Sequence, residues 1–375
     1  MLIRHFAAGL MGLATSMMIP LFSVNPAWAD DFAERIELPP GFAIAKFAHV
    51  PNARSLVVLP SSRVIVVGSR TQGTVSAIID RDGDFAVDDV VVLERYLNSP
   101  NGVAYHEGYL YVAEQHQIRR AQFDEKNPIS KLQWEVIHDG MTDNRHHGSR
   151  DLAFSPGGRL FVALGSPCNV CRPTAPNDSI LSMNPDGSDV IVHASGIRNS
   201  VGMAFNPVTG ELYFTDNGVD MMGDDSPPDE LNHAPRAGLH FGFPWYGGGR
   251  DRTNIGKISE PPRAVTFPVV EFQAHTASLG LHFYRGSMFP AAYRNDLFVA
   301  QHGSWNRSTP TGYRITRVRF DDRGLPAGKE IFAQGWLQNR TVIGRPVDVA
   351  ELSDGSLLIS DDATGWIYRI TYDGG

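Results

Sequence analysis

The stretch GSRDLAFSPGGRLFVALGSPCN, residues 148–169, contains the unit that decides the fold of this chain. It consists of a short apolar run, a tight turn with Pro and Gly, and a second apolar run that ends in polar residues. Short apolar runs closed by Gly, Pro, Asn or Asp are typical of all-β proteins. The chain has 37 Gly and 25 Pro, so further units of this kind are expected along it.

The strand–turn–strand unit occurs six times. The six copies begin at Ala53, Ser99, Gly148, Arg198, Ala277 and Gly344. With Leu56, Val103, Leu152, Met203, Leu281 and Val349 taken as equivalent, the spacings are 47, 49, 51, 78 and 68 residues. A period near 50 with four strands per unit predicts an all-β, six-bladed propeller with four-stranded antiparallel blades. A parallel β-helix is a weaker alternative because its repeats are much shorter. The two long intervals predict loop insertions after the fourth and fifth copies, on one face.

Residues 1–29 are predicted to be a secretory signal peptide. One early cation, Arg4, precedes a long apolar run and the small-x-small sequence AWA. An uncleaved membrane anchor is the alternative, but the run is short for a spanning helix and is broken by Pro20 and Pro26. We expect residues 30–375 to form a single propeller domain, periplasmic or secreted, with no membrane span after removal of the signal.

The charge of the chain argues against polyanionic partners. Lys and Arg number 33 and Asp and Glu number 41, which gives a formal net charge of −8 at pH 7. An acidic exported protein is poorly suited to nucleic acid or to anionic membrane surfaces, so neither is expected as a partner. Dinucleotide binding is not supported either, because no G-x-G-x-x-G follows a strand and opens a helix.

Propeller geometry predicts where the polar loop residues meet. In each copy one loop precedes the first strand and another follows the second, and equivalent loops gather around one end of the central channel. The polar residues at these positions are Gln115, His116, His147, Cys168, Arg198, Asn199, Asn217, Gly218, Ser278 and residues 302–307. A site built from residues far apart in the sequence is therefore expected at that end.

Four motifs carry a family resemblance. In chain order they are HHGSRDLAF, GIRNSVGMAFNPVTGELYFTDNG, DELNH with GLHFGFPWYGG, and LHFYRGSMFPAAYRNDLFVAQHGSWNR. They resemble the soluble sugar dehydrogenases that depend on pyrroloquinoline quinone (PQQ), and most closely the L-sorbosone dehydrogenase-like branch. The resemblance extends from about Phe42 to the end of the chain. It implies a propeller that holds PQQ and calcium, oxidises a sugar or sugar-derived aldehyde, and passes electrons to a soluble acceptor, a cytochrome or a quinone.

PQQ is a flat ortho-quinone with three carboxylates, so its site needs cations and a stacking surface. The resemblance places Arg198 at the quinone with Asn199 and with Asn217 from the neighbouring loop. A guanidinium can bind oxygen atoms in a fork and lie flat against a π-system. Arg285 and Arg307 stand where the family has cations for the cofactor carboxylates. A solvated rim charge is the alternative for each arginine.

The calcium ligands are expected to be oxygen atoms, including backbone carbonyls. The resemblance implies that the carbonyls of Gly218 and Val219 hold calcium against the quinone. It also implies a second, structural calcium at Asp229 and Glu230, with the carbonyl of Phe241 as a further ligand. Additional donors in the same loop are Asp220, Asp224 and Asp225. A solvated acidic loop is the alternative.

Sugar oxidation needs a base for the hydroxyl proton, and neutral histidine suits this role near pH 7. The family's base lies five residues before a strand leucine, and counting back from Leu152 gives His147 rather than His146. Arg198 would then stabilise developing negative charge. A zinc site at the histidine pair is disfavoured because no Cys, His or Glu stands at ligand spacing. A plain surface histidine is the alternative for either residue.

The chain departs from the glucose-oxidising relatives after this strand, where Gly165-Ser166 replaces their Gly-Asp. The missing acid argues against glucose as substrate. Cys168 and Cys171, the only two cysteines, are expected to form a small disulfide ring beside the cofactor. Covalent haem attachment is excluded because Arg172, and not histidine, follows them.

Two other functional classes stay open. A calcium-dependent six-bladed hydrolase of the lactonase type would share the fold, the ion and export, but it needs no quinone-binding arginines. A non-catalytic binding propeller also stays open, since many propellers only recognise partners.

Overall fold

The computed structural model describes residues 32–172 and 175–374. The predicted signal peptide, residues 1–29, lies outside these residues, and the boundaries of the single predicted domain stay a prediction. Helix is confined in the described chain to α1 (Phe32–Arg35), α2 (Asn254–Ile258) and one 3-10 turn (Ala291–Tyr293). None of the described helices is long and apolar enough to cross a membrane.

Six blades of four antiparallel strands, one of them extended by a fifth strand, and one two-stranded hairpin form the rest of the described fold, and the first three blades follow one another directly. The strand β1 (Phe42–His49) belongs to the last blade and is described with it. Blade 1 contains β2 (Ala53–Val58), β3 (Val64–Ser69), β4 (Thr74–Ile79) and β5 (Asp89–Glu94). Blade 2 contains β6 (Gly102–His106), β7 (Tyr109–Ala113), β8 (Ile118–Gln122) and β9 (Glu135–His138). Blade 3 contains β10 (Leu152–Phe154), β11 (Leu160–Leu164), β12 (Ser179–Met183) and β13 (Ile191–Ser195).

The last three blades carry the additional segments. Blade 4 contains β14 (Met203–Phe205), β15 (Leu212–Asp216), β16 (Glu230–Ala234) and β18 (Val270–Glu271), while β17 (Leu239–His240) adds a parallel fifth strand to blade 3. Blade 5 contains β19 (Ser278–Phe283), β20 (Leu297–Gln301), β21 (Arg314–Phe320) and β22 (Pro326–Gln334). A hairpin of β23 (Leu337–Gln338) and β24 (Thr341–Val342) leads to blade 6, which contains β25 (Pro346–Glu351), β26 (Leu357–Asp361), β27 (Trp366–Tyr372) and β1.

The first strands of the blades form a closed ring. Each of β2, β6, β10, β14, β19 and β25 contacts the next, and β25 contacts β2. They surround a central cavity of about 780 Å³. All six residues taken as equivalent in the sequence lie on these first strands. The predicted six-bladed propeller is therefore confirmed.

The hydrophobic core lies between the blades. The second strands β3, β11, β15, β20 and β26 are buried along their whole length, because each blade packs a neighbour on both faces. The outer strand β5 alternates between half-buried and exposed residues instead. One apolar cluster fills each of the six gaps between blades. This packing fixes the relative positions of the loops at the channel ends.

Ring closure uses the two ends of the described chain. Strand β1 pairs antiparallel with β27, from Phe42 opposite Tyr372 to His49 opposite Trp366. Blade 6 is therefore built from one strand of the N-terminal side and three of the C-terminal side.

The long intervals in the sequence correspond to insertions at both ends of the channel. The insertion after the fourth copy lies between β16 and β18. It reaches the end where the first strands begin, because Gly249 donates to Oε1 of Glu230, the first residue of β16, at 2.6 Å. In the fifth copy, residues 284–296 lie at the opposite end, where Tyr284 Oη donates to the carbonyl of Gly355 at 2.9 Å. The expectation of insertions on one face does not hold for residues 284–296, because they follow the far end of β19. Residues 302–313 and 335–345 of the same interval lie at the end where the first strands begin.

Candidate active site

A polar cavity of about 120 Å³ lies at the channel end where the first strands begin. It is lined by His147, Arg198, Asn199, Asn217, Gly218, Asp220, Asp229, His275, Ala277, Trp305 and Asn306. Trp305, whose side chain is 66% exposed, stands at its rim. Val201, which precedes β14, forms a buried apolar cluster with Leu279 and Val347, which lie near the starts of β19 and β25. The predicted gathering of loop residues at one end is therefore present.

His147 has a constrained backbone. Its φ of 47° lies in the left-handed region, which is uncommon for a residue with a side chain. Arg150 Nη1 donates to the carbonyl of His147 at 3.0 Å and holds this turn. A Cβ on Gly165 would lie 2.5 Å from His147 Cβ, so only glycine permits this approach. The backbone thus fixes the direction of the imidazole.

The His147 ring has a defined tautomer in this environment. Nδ1 lies 2.9 Å from the carbonyl oxygen of Ser166, so Nδ1 carries the proton and donates. Nε2 is left with its lone pair, and it forms no hydrogen bond within residues 32–172 and 175–374. Burial, followed by the positive charge of Arg198, lowers the pKa of His147 to about 2. The imidazole is therefore neutral at physiological pH.

Arg198 is buried, with 3% of its surface exposed, and is held on several sides. Its Nε donates to the carbonyl of Asn169 at 3.2 Å, and its Nη1 donates to the carbonyl of Asn217 at 3.1 Å. Its Nη2 donates to Asn169 Oδ1 and to Asp220 Oδ2, both at 2.7 Å. These bonds use four of its five N–H groups and leave one on Nη1. Arg198 is thus a fixed cation beside the cavity.

Asn199 and Asn217 join the starts of neighbouring blades. The amide of Asn199 donates to Asp216 Oδ1 at 2.6 Å. Asn217 Nδ2 donates to the carbonyls of Asn199 at 3.2 Å and Ser278 at 2.9 Å. Both predicted residues therefore line the cavity, and Asn217 supports its wall with its side chain.

Cys168 and Cys171 form a disulfide, which confirms the predicted ring. The ring is beside the cavity because Asn169, between the cysteines, contacts Arg198. We expect peptide mapping of the protein, purified without reductant, to find the two cysteines joined. Alkylation of both thiols before reduction would contradict this pairing.

Three buried carboxylates lie next to one another in blade 4. Asp216 and Glu230 are paired residues on β15 and β16, and Asp229 precedes Glu230. Burial raises the pKa of Asp216 to about 7 and that of Glu230 to about 8, and it also raises the pKa of Asp229. Arg198 is near Asp216 but directs its guanidinium to Asp220. Buried carboxylates without full cationic partners favour a bound metal ion.

The predicted metal ligands are divided between two cavities, and Gly218 lines both. Gly218, Glu230 and Phe241 line a small cavity of about 10 Å³ together with Asp216. This volume is about that of one water-sized sphere. Asp229 accepts from the amide of Gly218 at 2.9 Å. The buried Oδ1 of Asn232, whose Nδ2 donates to Glu230, has no hydrogen-bond partner among the described atoms. Carboxylate and carbonyl oxygens are the ligands that calcium takes, so the types of donor suit it. Within the described residues, however, the oxygens of Asp216, Asp229 and Glu230 do not all lie within 4.8 Å of one another, as those of Asp80, Asp82 and Asp88 do.

Val219 differs from the other predicted metal ligands. Its side chain is buried, and its amide donates to the carbonyl of Gly247 at 2.7 Å. It lines neither the polar cavity nor the small one. The structure therefore does not bring Val219 together with the carboxylate cluster as it does Gly218.

A family model described as TrAA12-like matches residues 36–244 and 260–373 of the chain. The chain belongs to the TrAA12-like family. An uncharacterized protein of Borreliella burgdorferi is 36% identical to this TrAA12-like chain over 298 residues, which cover 76% of the chain and 78% of that protein.

Two solved structures are similar to this TrAA12-like chain in fold. The holo form of the pyranose dehydrogenase PQQ domain from Coprinopsis cinerea has a TM-score of 0.74 at 18% identity, covering 90% of this chain and 97% of that one. The calcium structure of Trichoderma reesei carbohydrate-active enzyme family AA12 has a TM-score of 0.74 at 20% identity, with coverage of 90% and 97%. The likeness to these two structures concerns the fold, and the sorbosone branch stays a prediction.

The two arginines predicted for the cofactor carboxylates lie in different places. Arg307 is at the cavity end, where its guanidinium binds the carbonyl of Asp224 and, at 2.7 Å, Asp225 Oδ1. Arg285 follows the far end of β19, and its amide donates to Glu351 Oε2 at 2.7 Å. At about 3.3 Å per residue, it lies roughly 20 Å along the strand from Ser278. The structure therefore does not bring Arg285 into the site of the TrAA12-like chain.

A second group of arginines, not predicted from the sequence, lies beside His147. Arg54 Nε donates to Asn101 Oδ1 at 2.6 Å, and Asn101 Nδ2 donates to the carbonyl of Arg150 at 3.0 Å. Arg70 follows β3 at the same end and forms no hydrogen bond or ion pair within the described part of the chain. Burial, followed by the charge of Arg54, lowers the pKa of Arg70. In the sequence, the only indication that Arg70 lies at this end was its position after the second strand of the first copy.

Proposed function

We propose that this protein is a PQQ- and calcium-dependent dehydrogenase of a sugar or a sugar-derived aldehyde. The observation that carries the proposal is the juxtaposition of His147, with a free Nε2, and the fixed cation Arg198 in one polar cavity. Membership of the TrAA12-like family and the pyranose dehydrogenase PQQ domain among its structural neighbours support it.

His147 is the proposed base. Ser166 holds the Nδ1 proton, so Nε2 is the atom that accepts the substrate hydroxyl proton. Before ligands bind, burial and the charge of Arg198 keep the pKa of His147 near 2. An anionic ligand offsets this positive charge and the charge of Arg70, so it raises the pKa toward the range in which a base is efficient.

Arg198 is the proposed electrostatic partner. Its remaining N–H on Nη1 is available for a ligand oxygen, while its contacts with Asn169, Asn217 and Asp220 keep the guanidinium in one orientation. A preoriented cation in a buried site stabilises developing negative charge without reorganisation. Trp305 at the rim offers an aromatic surface against which a flat ring or a sugar can pack.

The chain offers groups for both cofactors. Asp216, Asp229 and Glu230, with carbonyls such as that of Gly218, would hold calcium. Arg70, Arg198 and Arg307 would meet cofactor carboxylates. When bound, PQQ would supply the acceptor for the two substrate electrons, and calcium would supply positive charge beside it.

The finer parts of the proposal concern substrate, acceptor and location. A sorbosone-like aldehyde, reacting as its hydrate or cyclic hemiacetal, presents a hydroxyl to the same base. Gly165-Ser166 in place of Gly-Asp supports a substrate other than glucose. We propose a soluble cytochrome or quinone as electron acceptor, and a periplasmic or secreted location from the predicted signal peptide.

Reconstitution tests the proposed function. Protein stripped with EGTA should reduce a redox dye in the presence of aldoses or sorbosone-like aldehydes only after addition of PQQ and calcium. Hydrolysis of lactones with calcium alone would favour the hydrolase. Absence of PQQ binding and of both activities would favour a binding propeller.

Calcium binding should be visible as a change in stability. Adding calcium to EGTA-stripped protein should raise the unfolding temperature by several degrees, because a ligand of the folded state stabilises it by mass action. Glu230→Gln should remove most of this rise. The control is Glu211→Gln, since Glu211 binds His233 at 2.8 Å at the other end of the same blade. A full calcium response in Glu230→Gln would contradict the assignment.

Arg70 and Arg285 should differ in their effect on the cofactor. Arg70→Ala should weaken PQQ binding about tenfold or more, because a charge-assisted hydrogen bond contributes roughly 1.5–3 kcal/mol. Arg285→Ala should leave PQQ affinity unchanged, since Arg285 lies at the other channel end. Fluorescence titration with PQQ measures both. Equal effects of the two variants would contradict the proposed cation set.

A further inference from the structure

Residues 165–171 contact both proposed catalytic groups. The Ser166 carbonyl accepts the Nδ1 proton of His147 at 2.9 Å, and the Ser166 amide donates to the carbonyl of Arg198 at 2.7 Å. Three residues further on, the carbonyl and Oδ1 of Asn169 accept from Nε and Nη2 of Arg198. One short segment of blade 3 therefore determines where two groups from different loops lie.

Asn169 also binds the loop of the next blade. Its Oδ1 accepts from the amide of Asp220 at 3.0 Å, and its Nδ2 donates to the carbonyl of Asp220 at 3.0 Å. The Asp220 carboxylate in turn accepts from Arg198 Nη2 at 2.7 Å and from Asn306 Nδ2 at 3.2 Å. Asn169, Arg198 and Asp220 thus form a closed triangle in which every pair is hydrogen-bonded. Rotation of one member breaks contacts to the other two.

The disulfide restricts the backbone that carries Asn169. Cys168 and Cys171 enclose only Asn169 and Val170, and their Cα atoms are 6.0 Å apart. Ser166 Oγ lies 3.3 Å from Cys168 Sγ, which joins the ring to the residue that holds His147. A covalent ring of this size removes backbone freedom that an open loop would have to lose on binding a ligand. Asn169 is therefore presented in one conformation.

We propose that Asn169, held by the Cys168–Cys171 ring, is a positioning residue that orients Arg198 and Asp220 in the cavity shared with His147. Through this contact Asp220, from blade 4, is held with its carboxylate at the cavity. The functional part of this proposal rests on the proposed dehydrogenase activity. The geometric part does not.

Asn169→Ala is the direct test. It removes the bonds of Oδ1 and Nδ2 but keeps the backbone carbonyl that accepts from Arg198 Nε. A crystal structure of the variant should show the Arg198 guanidinium and the Asp220 carboxylate displaced from their present contacts. With PQQ and calcium, kcat should fall about tenfold or more while KM for the sugar changes little, since the lost bonds involve a charged group. PQQ should also bind more weakly in a fluorescence titration.

Asn184→Ala is the matched control. Asn184 Oδ1 also accepts from an arginine, Arg159 Nη1 at 3.2 Å, but the turn that carries it is remote from the cavity. This variant should keep the wild-type kcat and PQQ affinity. If Asn169→Ala fails to fold, the Cys168→Ser and Cys171→Ser double variant provides the second test. It keeps the Asn169 side chain but opens the ring, and it should lower kcat severalfold with PQQ still bound.

The outcomes separate this proposal from the proposed function. If the wild-type protein neither binds PQQ nor oxidises a sugar, the proposed dehydrogenase activity is wrong. The crystal structure of Asn169→Ala would still show whether Asn169 orients Arg198 and Asp220. If Arg198 keeps its position in that structure, the proposal that Asn169 orients it is wrong. The proposal would also be wrong if the wild type is active and both Asn169→Ala and the double serine variant have the same kcat and PQQ affinity as the wild type.

Discussion

His147→Gln should lower kcat for sugar oxidation by about a hundredfold or more while PQQ stays bound. Loss of a general base typically costs two to four orders of magnitude in rate. Glutamine is similar in size and can still approach the Ser166 carbonyl, but it has no nitrogen lone pair that accepts a proton. Reconstituted protein with PQQ and calcium, assayed by dye reduction and by PQQ titration, separates the rate from cofactor binding.

His146→Gln is the control for His147. The centroids of the two imidazole rings are 4.1 Å apart, but His146 is exposed and does not line the cavity. Its replacement should change kcat by less than a few fold. A wild-type rate in His147→Gln would show that another group removes the proton, and a large loss in His146→Gln alone would move the assignment to the neighbouring histidine.

Arg198→Ala should lower both kcat and PQQ affinity, each by about a hundredfold. Removal of one preoriented group that stabilises transition-state charge typically costs that much in rate. The variant also leaves the Asp220 carboxylate without its cationic partner, so the free energy of unfolding should fall as well. Dye reduction should therefore show a lower kcat, PQQ titration a weaker affinity, and thermal unfolding a lower unfolding temperature.

Arg198→Lys tests which property of Arg198 matters. Lysine keeps the positive charge but lacks the planar fork that binds Asn169, Asn217 and Asp220 together. It should restore part of the PQQ affinity and little of kcat. Because the charge of Arg198 helps to lower the pKa of His147, that pKa should rise in Arg198→Ala and stay low in Arg198→Lys. NMR titration of the imidazole measures this, and an unchanged pKa in Arg198→Ala would contradict their proximity.

The blade pattern was predictable because it is local. Each first strand, turn and second strand lies within about twenty residues, and the period repeats with nearly constant spacing in the first four copies. The parallel strand β17 was not predictable, since Leu239 and His240 pair with β13 of the previous blade. No local signal in the sequence marks such a return.

The site was predictable where a residue has a fixed offset from a strand. His147 and Arg198 directly precede first strands, so their end of the channel follows from the fold. Arg285 was assigned by resemblance although it follows β19, and strand direction alone places it at the other end. The hydrogen bonds between Asn169 and Asp220 were out of reach for a different reason, although Asp220 itself was named as an oxygen donor. These bonds join loops of two blades, and side-chain contacts across blades leave no spacing in the sequence.

Pairing of β1 with β27 gives the protein an order of assembly. The strand that completes blade 6 lies before blade 1 in the chain, but its partner β27 follows blade 5. Contacts this distant in the chain raise the contact order and slow folding. Blades 1 to 4, which carry Arg70, His147, Arg198 and Glu230, can form as separate hairpin sheets beforehand. We expect a chain truncated before β25 to form these blades without a closed ring. Such a chain should have no ligand affinity, because blade 6 is needed to bring the loops around one channel end.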